Sequence, residues 1–135
     1  GFEVLGGSIE EVSGVPAEEK EKIIAAFNEY IEAFNAEDIE RYAQTTSKQA
    51  KGFDYKLDLQ EAQKVFDQYE INRQAENITI VKYNEEEAQV FANLKIEMTE
   101  EETNTQVSSQ GRQVTVFVSE DGTWKVSSVY YIGDN

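Results

Sequence analysis

Residues 114–132 read VTVFVSEDGTWKVSSVYYI, and this stretch decides the fold. Before the acidic turn, Val114, Val116 and Val118 alternate with Thr115 and Phe117, with Arg112 heading the valine row. A two-residue period places alternate side chains on opposite faces of a strand. Asp121-Gly122 then supplies the residues that tolerate the positive φ of a tight hairpin. Beyond it Trp124, Val126, Ser128, Tyr130 and Ile132 alternate with Lys125, Ser127, Val129 and Tyr131, so the chain returns beside itself as a second strand.

Upstream, the same period is longer. Ala88, Val90, Ala92, Leu94, Ile96 and Met98 alternate with Gln89, Phe91, Asn93, Lys95, Glu97 and Thr99, and a further strand is predicted over Ile78–Tyr83. NEEE (84–87) and EEETNT (100–105) separate these strands as turns. Before residue 70 the period is helical. Ile23, Ile24, Phe27, Tyr30, Ile31 and Phe34 form one stripe of a helix from Pro16 to Phe34. Asn35 is the expected N-cap of a second helix carrying Ile39, Tyr42 and Ala43, with Glu37 and Asp38 in its first turn. Asp58 is the expected cap of a third, with Leu59, Ala62, Val65, Phe66 and Tyr69 on one face. Helices followed by a strand meander predict an α+β domain, its N-terminal helices packed on a curved antiparallel sheet. Residues 1–15 are expected to be a tail or linker and residues 16–135 the domain.

Charge and composition exclude several functions. The 135 residues include 27 acidic and 12 basic ones, for a net charge of -15. Such a surface repels phosphate backbones, so nucleic acid is not an expected partner. No run is long and apolar enough to insert into a membrane. The absence of cysteine and histidine removes thiolate nucleophiles, Ser-His catalysis and most zinc chemistry. No metal, cofactor or catalytic residue is expected. The Glu85–Glu87 and Glu100–Glu102 runs lack the Asp/Asn ladder and central glycine of a calcium loop, and read as solvated turns.

From about Ala17 to Ile132 the chain resembles the NTF2-like superfamily, the cone-shaped fold of SnoaL-type cyclases, scytalone dehydratase and ketosteroid isomerase. The resemblance rests on YIEAFNAEDIERYAQ (30–44), similar to the family's helix-corner-helix opening, and on the 114–132 hairpin with its tryptophan after Asp-Gly. It implies a pocket between the helices and the concave face of a cystatin-like sheet. Phe27, Tyr30, Phe34, Tyr42, Tyr69, Trp124 and Tyr130 are the expected lining, suited to a small, flat apolar ligand. No carboxylate falls in register with the apolar rows. Asp38 and Asp54 are the only aspartates expected near the pocket, so catalysis is not the leading reading.

Phe91, Phe117, Val129 and Tyr131 fall out of register with those rows and are expected to form an apolar patch on the outer sheet face. The family's habit of pairing through the sheet then implies a homodimer. The acidic, glycine-led entry also resembles exported or anchored bacterial members, which implies an extracytoplasmic location. The leading expectation is a non-enzymatic binding or assembly domain. The alternatives are an isomerase- or dehydratase-type enzyme using pocket tyrosines and one acidic residue, and an accessory domain of a membrane-anchored protein.

Overall fold

The helical and alternating halves meet at Tyr69, where the third helix ends and the sheet begins without a linker. The computed structural model describes residues 9–132. The elements are α1 (Ala17–Asn35), α2 (Ile39–Thr45), α3 (Tyr55–Gln68), β1 (Tyr69–Tyr83), β2 (Glu87–Glu100), β3 (Gln106–Glu120) and β4 (Thr123–Ile132). The strands form one antiparallel sheet in the order β1-β2-β3-β4, and the helices cover its concave face.

The helix corners differ from expectation in an instructive way. Asp38, not Asn35, caps α2, its carboxylate accepting from the Arg41 N–H at 3.2 Å. The corner needs a left-handed residue, Glu37 at φ 55°, which delays the start of α2 by one turn. Asn35 stays in α1 and turns its carboxamide to the sheet. Its Nδ2 donates to Arg73 O at 2.9 Å, and its Oδ1 accepts from Arg73 N at 2.7 Å. Likewise Asp54 caps α3 by accepting from Leu57 N at 3.0 Å, which leaves Asp58 inside the first turn. Part of the expected tail is docked: Val12 N donates to Ile80 O at 2.9 Å, and Val12 and Val15 pack on the core. Residues 1–8 of that tail lie outside the described residues.

β1 is much longer than expected, pairing with β2 from Tyr69↔Glu100 to Tyr83↔Ala88 with irregularities between Glu76 and Thr79 and between Ile80 and Lys82. Its polar outer residues hid its period. The core lies between α1 and the concave face, with Ile23, Phe27, Ile80, Val90, Phe117 and Val126 fully buried. The β2 row from Ala88 to Leu94 faces inward as expected.

The β3–β4 hairpin departs from simple alternation. Val116 pairs with Ser128 while Phe117 pairs with Val126, so Ser127 is an extra residue in β4. Such a bulge reverses the facing of everything beyond it. Tyr130 therefore moves to the outer face, opposite Val114, and Val129 and Tyr131 turn inward. The valines of β3 are not the core row either. Val114 pairs with Phe91 and Val116 with Gln89 on the outer side, where Phe91, Val114 and Val116 are buried apart from the main core. The inward residues are Gln113, Thr115 and Phe117, all buried. Beside the bulge, residues 46–52 run along the β4 edge: Ser47 N donates to Val126 O at 2.8 Å, and Gly52 N to Ser127 O at 2.9 Å.

This register has a direct test. Phe117→Ala opens a core cavity and should cost about 3–5 kcal/mol. Tyr130→Ala, at a position 58% exposed, should change stability by less than about 0.5 kcal/mol. Urea denaturation of both variants checks the order, and the reverse order would contradict the bulge.

Candidate functional site

The open end of the cone holds a cavity of about 310 Å³. Each element contributes through its own periodicity. Tyr30 and Phe34 lie one turn apart on α1, so they share a face. Tyr42 comes from α2, Asp58, Ala62 and Val65 from α3, Arg73 from β1, and Val129 and Tyr131 from the bulged strand β4. Gly52 and Phe53 close one side.

The wall is aromatic and interlocked. The Tyr30 and Tyr42 rings stack at 5.8 Å, and Phe34 meets Tyr42 edge-on at 5.4 Å. Phe66 backs both, 4.9 Å from Phe34 and 6.5 Å from Tyr42. Aromatic pairs in such offset and edge-on geometries hold a wall rigid beyond simple burial.

Polar groups interrupt this wall. The Tyr42 hydroxyl donates to Asp58 Oδ2 at 2.7 Å. The Arg73 guanidinium lies 3.9 Å above the Phe34 ring, a cation–π placement. Arg73 Nε is buried with no hydrogen-bond partner among the described residues. An N–H in that position carries a desolvation cost until an acceptor reaches it. The Asn35 clasp on the Arg73 backbone fixes where this guanidinium starts.

Burial sets the protonation states. It pushes the Tyr30 and Tyr42 hydroxyls above the ordinary value of 10, with Arg73 opposing the rise, so both stay protonated donors. Burial also raises the Asp58 carboxyl, against the pull of the Tyr42 hydrogen bond and of Arg73. Among the described residues no group of three or more Asp or Glu side chains is placed to hold a metal. No helix among them is long and apolar enough to cross a membrane.

Of the residues expected to line a pocket, Tyr30, Phe34 and Tyr42 meet at this cavity. Phe27 is fully buried beneath it. Tyr69 begins β1 rather than sharing the α3 face, and does not border the cavity. Trp124 packs 6.2 Å from Tyr83, and its Nε1 donates to Glu19 Oε1 at 3.1 Å in the first turn of α1, away from the cavity lining. Tyr130 is on the opposite face because of the bulge. The expected outer patch does not form: Phe117 is core, Val129 and Tyr131 border the cavity, and only Phe91 faces outward.

Asp38 and Asp54, the aspartates expected near the pocket, are both helix caps. The residue that reaches the cavity is Asp58. A signal for it existed, since Asp58, Ala62 and Phe66 follow a helical i, i+4, i+8 row and the latter two are buried.

Asp58→Asn keeps an acceptor for Tyr42 and removes the titration. A carboxyl whose folded pKa is raised stabilises the fold fully below its unfolded value, and that contribution fades as pH rises through the folded value. The wild type should therefore lose stability relative to Asp58→Asn as pH rises above about 4, the ordinary range of an aspartate. Urea midpoints of both proteins measure this, and a difference independent of pH would reject the buried carboxyl.

Comparison with solved structures places the fold among known ones. The chain superimposes with TM-score 0.78 on an NTF2-like superfamily protein from Salmonella enterica serovar Typhimurium, at 12% identity over 90% of this chain and 94% of that one. It matches a candidate dehydratase of the NTF2-like family from Streptomyces avermitilis with TM-score 0.75, at 13% identity over 86% and 97% of the two chains. A candidate aromatic ring hydroxylase from Novosphingobium aromaticivorans gives TM-score 0.80, at 15% identity over 87% and 90%. At these identities the likeness concerns the fold. No curated protein matches the sequence. A family model described as the C-terminal domain of anti-sigma-I factor RsgI9 matches residues 25–132. With most of its length so matched, the chain belongs to the RsgI9 anti-sigma-I factor C-terminal domain family, on an NTF2-like fold.

Proposed function

We propose that this domain is a non-enzymatic binding module whose cavity takes a small, planar, largely apolar molecule bearing a carbonyl or similar acceptor oxygen. The observation that carries this reading is the Arg73 guanidinium, which borders the aromatic cavity over the Phe34 ring and whose Nε has no acceptor among the described residues. A neutral acceptor suits the site better than a carboxylate, because Asp58 and Glu61 also border the cavity. The aromatic wall supplies the flat contact surface. A family described as the C-terminal domain of an anti-sigma factor fits a part that binds and reports within a longer regulatory protein.

A second reading has one observation in its favour. Asp58 with its raised pKa beside the Tyr42 hydroxyl is the pair an isomerase-type proton transfer would use. Against it, the Tyr42 proton is already directed to Asp58.

Prodan, a neutral naphthyl ketone with polarity-sensitive emission, tests both. It should bind saturably with a blue shift, and Arg73→Met should weaken binding about tenfold, the usual worth of a hydrogen bond to a charged group. Asp58→Asn should stay within about threefold of wild type. Undiminished binding by Arg73→Met would contradict the proposed anchor. Deuterium exchange at the carbon next to the Prodan ketone, catalysed by wild type and absent in Asp58→Asn, would favour the enzyme instead.

A further inference from the structure

We propose that the ligand is an amphiphile, with its planar head beside Arg73 and an aliphatic tail running past Tyr131 into a second compartment of the concave face. This deepens the binding reading above and rests on it. The second compartment has a volume of about 260 Å³ and is lined by Leu94, Ile96, Gly111, Gln113, Tyr131 and Ile132, together with Ser109, Gln110 and Arg112. It lies beside the Arg112–Ile132 pair of β3 and β4.

Three features join it to the inner cavity. Tyr131 borders both spaces and is the partition between them. Its side chain is 73% exposed, so packing does not hold the ring in one position. Arg73 pairs in register with Ile96, so a head held at Arg73 lies one strand spacing from the apolar floor of the second compartment.

Two features select an uncharged chain as the occupant. Among the described residues no carboxylate lines the compartment, and Arg112 is its one charged side chain. Gly111 pairs with Leu94 on the concave side, and a Cβ built there meets nothing within 4 Å. The missing side chain leaves a clear path along Leu94 and Ile96. The continuity through Tyr131 favours one long molecule over two separate ones.

Laurdan carries the Prodan fluorophore on a dodecanoyl chain, so the pair isolates the tail. Each buried methylene contributes roughly fourfold in affinity. Below the concentration at which Laurdan self-associates, it should bind the wild type more than about tenfold tighter than Prodan. Gly111→Val suits a strand and fills the path, and Ile96→Thr makes its floor polar. Each should remove most of the Laurdan gain while leaving Prodan affinity within about twofold, which also verifies folding. Equal affinities in the wild type, or a gain that survives both substitutions, would overturn the tail compartment alone. Failure of the wild type to bind Prodan would overturn the head-group reading and this inference with it.

Discussion

One extra residue in β4 governs which side chains this domain turns inward. With Ser127 unopposed, Phe117 meets Val126 rather than Ser127, and the strand beyond rotates by half a period. Val129 and Tyr131 reach the cavity only because of that rotation. The bulge also offers polar groups at the sheet edge, where Ser127 O accepts from Gly52 N at 2.9 Å and Ser127 Oγ from Lys51 N at 3.2 Å. Gly52 must approach closely to do this, since a Cβ on it would fall 2.3 Å from Ser128 Cβ. The loop so held carries Phe53 to the cavity and Asp54 to the start of α3.

A second clasp works from the other side of the cone. The Asn35 carboxamide satisfies both the N–H and the C=O of Arg73, as a neighbouring strand would. It thereby ties the end of α1 to β1, and part of the cavity wall spans these two ties. The unsatisfied Nε of Arg73 is tolerable there because the guanidinium face rests on Phe34. The acceptor proposed above would complete the hydrogen bonding of an otherwise well-anchored residue.

Much of the fold was legible in residues 17–34 and 88–94, because burial there follows simple periods. The stripe from Ile23 to Phe34 and the row from Ala88 to Leu94 are core in the structure. Legibility failed where a local rule had two equal solutions. Asp54 and Asp58 are both good caps one turn apart, and the chain uses the first. The row Val114, Val116 and Val118 is more apolar than Gln113, Thr115 and Phe117, yet the latter faces the helices, because register is set by pairing with Ala88 and Val90. The Gln113 Nε2–Thr115 Oγ1 hydrogen bond of 2.8 Å makes two polar residues acceptable in that interior. The bulge at Ser127 leaves no mark in a two-residue period, so Tyr130 and Tyr131 exchanged their expected faces. Tyr30, Phe34 and Tyr42 were within reach of the sequence as a cluster, whereas Arg73 was hidden in a strand whose outer face is polar.

The position of the lone tryptophan sets what its emission reports. Trp124 is buried beside Tyr83 and linked to the first turn of α1 through Glu19. It does not border the ligand cavity. Its intrinsic emission will therefore follow detachment of α1 from the sheet rather than direct contact with a molecule in the cavity.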